Sequence, residues 1–114
     1  HAGDRIQLRA STPEARYLMV VSLDSRGAVT PFYEDGGRSL ALPAGAGQLL
    51  EGSIILDDAR GAERVIGCFS RQPIATEAAL EAGRQALLAG GGNPLAAGRL
   101  PLPCDQVEFV IYKE

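Results

Sequence analysis

Residues 16–24, RYLMVVSLD, place Leu18, Met19, Val20 and Val21 in direct succession. Successive side chains of an extended strand point to opposite faces, so this run puts apolar groups on both sides at once. A chain that contains it must cover each face of one strand. The expectation is a central strand with the rest of the fold arranged around it.

The neighbouring segments supply partners. DRIQLRA (4–10) alternates apolar and polar residues at the period of a half-buried strand, and Pro13 breaks the chain in STPEA (11–15). DSRG (24–27) is a turn with Gly27 free to take a positive φ, and AVTPFYE (28–34) is the return strand. Pro31 lacks an N–H, which assigns that strand to an edge or a bulge. EDGG (34–37) is a second turn, leading into a strand or extended connection over SLALPAGAGQLL (39–50). The stretch SIILDDARGAERVIGCFS (53–70) has two apolar runs, read as strands near 52–57 and 62–70 joined by a hairpin turn.

The period then changes. TEAALEAGRQALLAGGG (76–92) carries Leu80, Leu87 and Leu88 at helical spacing in an alanine-rich background. Thr76 is the expected N-cap, Glu77 suits the positive helix end, and Gly90 to Gly92 terminate the helix. GGNPLAAGRLPLP (91–103) reads as a loop, and QVEFVIYKE (106–114) as a final strand. The fold expected is mainly β: an Ig-like antiparallel β-sandwich of about 6–8 strands, with one α-helix (76–89) before the C-terminal strand.

At 114 residues the chain fits one domain. We assign 4–114 to it and read residues 1–3 as a linker remnant, the whole as a soluble domain excised from a larger polypeptide. Hydrophobic residues at 46% and charged residues at 22% are ordinary globular values and argue against disorder. A net charge of −3 argues against nucleic acid and against anionic membrane surfaces as partners. No apolar run approaches the roughly 20 residues of a membrane helix, so the segment is expected not to span a membrane itself.

Catalytic chemistry finds little footing. The one histidine is His1, so Ser-His and Cys-His mechanisms lack a base. Cys68 falls within an apolar strand, away from any basic cluster that would favour a thiolate. The acidic pairs Glu34/Asp35 and Asp57/Asp58 adjoin turns, and adjacent strand residues point to opposite faces. Asp57, Asp58 and Glu63 are weak candidates for a cation, lacking the spaced oxygen ligands of a dedicated loop, and a metal-dependent enzyme built on them is a further alternative. Turn formation explains Asp57 and Asp58 more simply. AGAGQ (44–48) lacks the lysine of a phosphate loop. The expectation is a non-enzymatic domain with no catalytic residues, cofactor or resident metal. A rival reading is a small-ligand or glycan-binding module using loops at one end of the sandwich, with Tyr33, Glu34, Asp35 and Arg38 as the surface. Cys68 and Cys104 fit either a disulfide, which the chain-entropy model values at about 3–4 kcal/mol, or two buried free thiols.

The order of segments also carries a resemblance. GDRIQLR, then YLMVVSLDSRGAVTPFYE, then LPAGAGQLLEGSIILDDARGAERVIGCFS and its trailing QP resembles a bacterial family known only as a domain of unknown function. The resemblance covers most of residues 3–74. It implies an Ig-like module appended to other machinery: zinc-finger anti-sigma factors, kinase- or caspase-associated proteins, or envelope lipoproteins. It further implies an extracytoplasmic (periplasmic) position in a membrane-anchored signalling protein, of a high-GC proteobacterial or myxobacterial type. Protein interaction, with a partner or with other domains of the same polypeptide, is the implied role, and no catalytic residues are carried over. A Cys68–Cys104 disulfide suits that position.

Overall fold

The computed structural model describes residues 5–6, 9–49, 54–55 and 61–113. The strands in chain order are β1 (Arg5–Ile6), β2 (Arg9–Thr12), β3 (Arg16–Asp24), β4 (Val29–Phe32), β5 (Glu34–Asp35), β6 (Arg38–Leu42), β7 (Gly45–Leu49), β8 (Ile54–Ile55) and β9 (Gly61–Ser70). A helix, α1 (Thr76–Ala89), and a last strand, β10 (Asp105–Lys113), complete the chain order. The chain is mainly β with one helix, and the described strand pairs are antiparallel.

β3 has the two-sided burial its sequence demands, with Leu18 through Asp24 all buried. β9 pairs with it from Tyr17 to Asp24, and β10 pairs with the far side of β9. The other edge of β3 is shared, β6 taking Arg16–Leu18 and β4 taking Val20–Leu23. β4 and β6 thus act as two halves of one strand. Between them the chain steps out through Tyr33, at φ 58°, into a hairpin that turns at Gly36 and Gly37. Pro31 falls on the outer strand β4, where a missing donor is tolerated. The β3–β4 turn is closed by Asp24, whose Oδ1 accepts the N–H groups of Arg26 and Ala28 at 2.9 Å. Gly27 supplies the positive φ there.

Each face of the sheet has its own apolar core. Met19, Val21, Leu23, Ile66 and Cys68 point to the helix side, and Leu18, Val20 and Val65 form a second cluster with Leu42 on the other. The first face is covered by α1 and by the segment 90–104, not by a second sheet. Beside the six-stranded sheet, the described residues form two two-stranded ribbons, β1–β8 and β2–β7.

The helix occupies 76–89, but its buried face differs from the leucine stripe the sequence suggested. Leu88 is exposed and Leu80 only half-buried, whereas Ala79, Ala82, Gly83, Ala86 and Leu87 are buried. Small residues at that spacing let the helix approach the sheet closely. The N-cap is Ala75, in an extended conformation and without a side-chain cap. Thr76 is one position too late to cap, and its N–H donates to the Gly37 carbonyl at 2.9 Å. A neighbouring hairpin thus replaces a capping side chain. Ser39 completes the junction: its N–H donates to the Ile74 carbonyl, and its Oγ accepts from the Ile74 N–H. At the other end Gly90 donates to the carbonyls of the last turn, and Gly91 and Gly92 adopt positive φ.

In chain order α1 lies between β9 and β10, yet its main contacts are with β3 and β4. Residues 90–104 lead from it to β10 across the same face of the sheet, burying Pro94, Ala97, Leu100 and Leu102. A second expectation also changes. The apolar runs flanking the 57–60 charges are not hairpin partners: β8 pairs with β1, while β9 is occupied by β3 and β10 on its two edges. Only two residues at its start lie beyond the reach of β3, leaving no room for a hairpin mate.

The close approach of α1 generates a test. A Cβ at Gly83 would stand 2.6 Å from Val29 Cγ1 and 3.1 Å from Leu23 Cδ2. Gly to Ala in a helix interior ordinarily stabilises by up to about 1 kcal/mol. Here overpacking reverses the sign, and Gly83→Ala lowers stability by about 1–3 kcal/mol, read as a lower urea midpoint with unchanged m-value.

Candidate functional site

Three strand ends meet at one edge of the sheet. The register sets Tyr17 of β3 beside Ser70 of β9, and Phe69 of β9 beside Asp105 of β10. The start of β3, the exit of β9 and the entry to β10 therefore lie side by side. A cleft of about 560 Å³ opens there. Its cations are Arg16, the first residue of β3, Arg71, the first after β9, and Arg99, from the 90–104 segment. Phe69, Ile74 and Pro103 supply apolar wall, and among the described residues Asp105 is the one acid lining it.

The three guanidinium groups are held differently. Arg16 is mostly sheltered, and its Nη1 lies 3.3 Å from Oε2 of Glu14, whose side chain is 64% exposed. Arg99 donates to the carbonyls of Leu102, at 3.3 Å, and of Cys104. Carbonyls orient it without neutralising its charge. Arg71 is exposed and has no polar partner among the described residues. Among the described lining residues three cations face one acid, with Glu14 paired to Arg16 beside them, in a chain of net charge −3.

The cleft wall is rigid for identifiable reasons. Cys68 and Cys104 meet at disulfide-bonding distance, with Cα atoms 5.5 Å apart, tying β9 to the residue that precedes β10. Cys68 opposes Gln106 in the β9–β10 ladder, so the link runs diagonally across the pair. Gln106 donates to the Leu100 carbonyl and accepts from the Leu100 N–H, both at 2.9 Å, acting as a one-residue strand partner for the loop. Arg64 is buried on β9, ion-paired with Glu108, and its Nη1 donates to the carbonyls of Ala97 and Gly98. Among the described residues no buried side-chain nitrogen or oxygen lacks a partner.

The candidates read from sequence end in different places. Tyr33, Glu34, Asp35 and Arg38 are brought into one hairpin, but Tyr33 packs against the Leu18–Val65 cluster and Arg38 forms a bridge with Ala75. The hairpin thus buttresses the helix start and lies outside the cleft. Asp57 and Asp58 fall outside the described residues. Glu63 is buried on β9 directly opposite Asp24, whose carboxylate is committed to the β3–β4 turn. Among the described residues no three His, Cys, Asp or Glu side chains are placed to hold a metal ion. Of the paired cysteines, both reach the positions a disulfide requires.

Arg16, Arg71 and Arg99 were not singled out by sequence reasoning. They are 55 and 28 residues apart along the chain, and only the strand register brings them together. No family model matches the chain, and no curated protein or solved structure matches it.

The bridge predicts a mass increase of two hydrogen atoms on reduction and no alkylation of either cysteine beforehand. Paired Cys68→Ser and Cys104→Ser replacements cost about 3–4 kcal/mol, measured by denaturant titration. Labelling of both thiols in protein taken from cells under non-reducing quench would show that the bond does not form in the native compartment.

Proposed function

We propose that this domain is a non-enzymatic interaction or sensory module acting outside the cytoplasm, as part of a larger envelope or signalling protein of the anti-sigma-factor type. The observation that carries the interaction reading is β10. It is nine residues long, pairs with β9 in unbroken register, and ends the strand order of its sheet. It contains no proline, and Val107 stands 61% exposed on it. A long, regular, apolar edge invites strand addition by a partner, because its outer N–H and C=O groups are a template for another chain. The Cys68–Cys104 bridge supports an oxidising compartment. The sequence resemblance to appended extracytoplasmic modules points the same way. An Ig-like sandwich, with a second layer over the Leu18–Val65 face of the sheet, belongs to this reading.

A second reading is favoured by a separate observation. The strand-end cleft, with its three arginines, suits a small-ligand site in the loops at one end of the sheet. It lies in loops other than the 34–38 hairpin.

Photo-crosslinking distinguishes these ideas. A crosslinking amino acid at position 107 of the native full-length protein should give one discrete protein adduct, and the same group at the exposed Leu88 should give none. Absence of an adduct from position 107 counts against strand addition. A defined hydrolytic activity abolished by one polar substitution would overturn the non-enzymatic assignment.

A further inference from the structure

We propose that the strand-end cleft binds the carboxylates of an acidic peptide, with Arg71 as the receiving cation and Glu14 as a built-in competitor for Arg16. This rests on the ligand-binding reading above and names the ligand class.

The chemistry begins with the guanidinium group, whose planar fork matches a carboxylate with two parallel hydrogen bonds. Arg71 is exposed in the cleft and has no polar partner among the described residues. Arg99 is oriented by the carbonyls of Leu102 and Cys104 and retains its charge. Arg16 already holds a carboxylate, that of Glu14, through one contact at 3.3 Å. Glu14 is exposed, in the turn between β2 and β3, where Thr12 Oγ1 donates to its carbonyl at 2.7 Å. An exposed ion pair of this kind contributes roughly 1 kcal/mol or less, so an incoming carboxylate can exchange with it. One of the cleft's cations thus already holds a group of the proposed class.

Size and lining favour a peptide over a bare ion. At about 560 Å³ the cleft falls in the range of ligand sites and far exceeds what one oxyanion fills. Phe69, Ile74, Pro73 and Pro103 line it beside the cations, offering apolar contact to the methylene groups and backbone between carboxylates. Asp105 at the entry of β10 adds a negative charge that disfavours a doubly charged compact anion. The attraction is between exposed charges, so binding should weaken with salt.

The test uses the full oxidised chain and a fluorescein-labelled hexaglutamate peptide, read by anisotropy at low ionic strength. Saturable binding is expected, with no binding of a hexalysine peptide. Arg71→Gln should weaken it roughly fivefold or more, and Glu14→Gln should tighten it roughly twofold or more, since the competing carboxylate is gone. Both positions are exposed, and their thermal midpoints should match that of the parent. The decisive sign is tightening by Glu14→Gln beyond that of Glu77→Gln, the same charge change at an exposed glutamate outside the cleft lining. Absence of saturable binding, or indifference to both substitutions, overturns the proposal. Binding of inorganic phosphate in place of hexaglutamate, with the same dependence on Arg71, overturns the peptide assignment while leaving a ligand site. A parallel thermal-shift screen with neutral saccharides and small organic acids separates the two failures: a shift lost in Arg71→Gln preserves the ligand reading, and none removes it.

Discussion

A strand that is apolar on both faces and hydrogen-bonded on both edges leaves no side of itself for water. β3 is that strand, and each of its requirements is met by a different part of the chain. β9 fills one edge along eight residues, and β4 and β6 divide the other. The helix face is sealed by α1 and by the 90–104 segment, while Leu18, Val20 and Val65 are buried on the opposite face. Substituting any of the fully buried residues of β3 therefore opens a cavity that two elements must share, which is why such changes cost several kcal/mol in other cores.

The loop-like cover of the helix face is held by polar chemistry as much as by burial. Pro94, Ala97, Leu100 and Leu102 supply the apolar contact, while the segment's own backbone bonds are short-range turns such as Ala97 N–H to Asn93 and Cys104 N–H to Leu102. Arg64 and Gln106 anchor its main chain to the sheet, and its own Arg99 donates to the carbonyls of Leu102 and Cys104. The disulfide fixes the same stretch covalently to β9. Gly90 is required at the start, since a Cβ there would stand 2.7 Å from the Ala97 backbone nitrogen. The anchoring has a functional consequence. It fixes Arg99 and Pro103 at the wall of the strand-end cleft, so that wall does not depend on a mobile loop.

Several elements were legible because their signals are local. The bounds of β3, the turn at Asp24–Gly27, the edge position of Pro31 and the helix over 76–89 all rest on patterns within a dozen residues. Of the three leucines at helical spacing only Leu87 is buried, for a physical reason. Leucine spacing marks where apolar mass lies, whereas the sheet accepted the alanine and glycine side because only small residues allow so close an approach. The supposed hairpin over 53–70 failed for a different reason. Two adjacent apolar runs look alike whether they pair with each other or with distant strands, and β9 found both of its partners elsewhere. The candidate surface at 33–38 is a hairpin, as its turn residues indicated, and its Gly37 carbonyl also receives the helix start.

By itself the sequence determined that one strand would be covered on both faces and that an alanine-rich helix would form over 76–89. These are matters of residue type and short-range period. Only the tertiary structure decided which strands are neighbours, which face of the helix is buried, and that Cys68 and Cys104 come within bonding reach. It alone placed Arg16, Arg71 and Arg99 around one cleft. The physical reason is that strand order and register are set by competition among many apolar runs for the same edges. That competition is resolved by the packing of the whole chain and leaves no mark in any one segment.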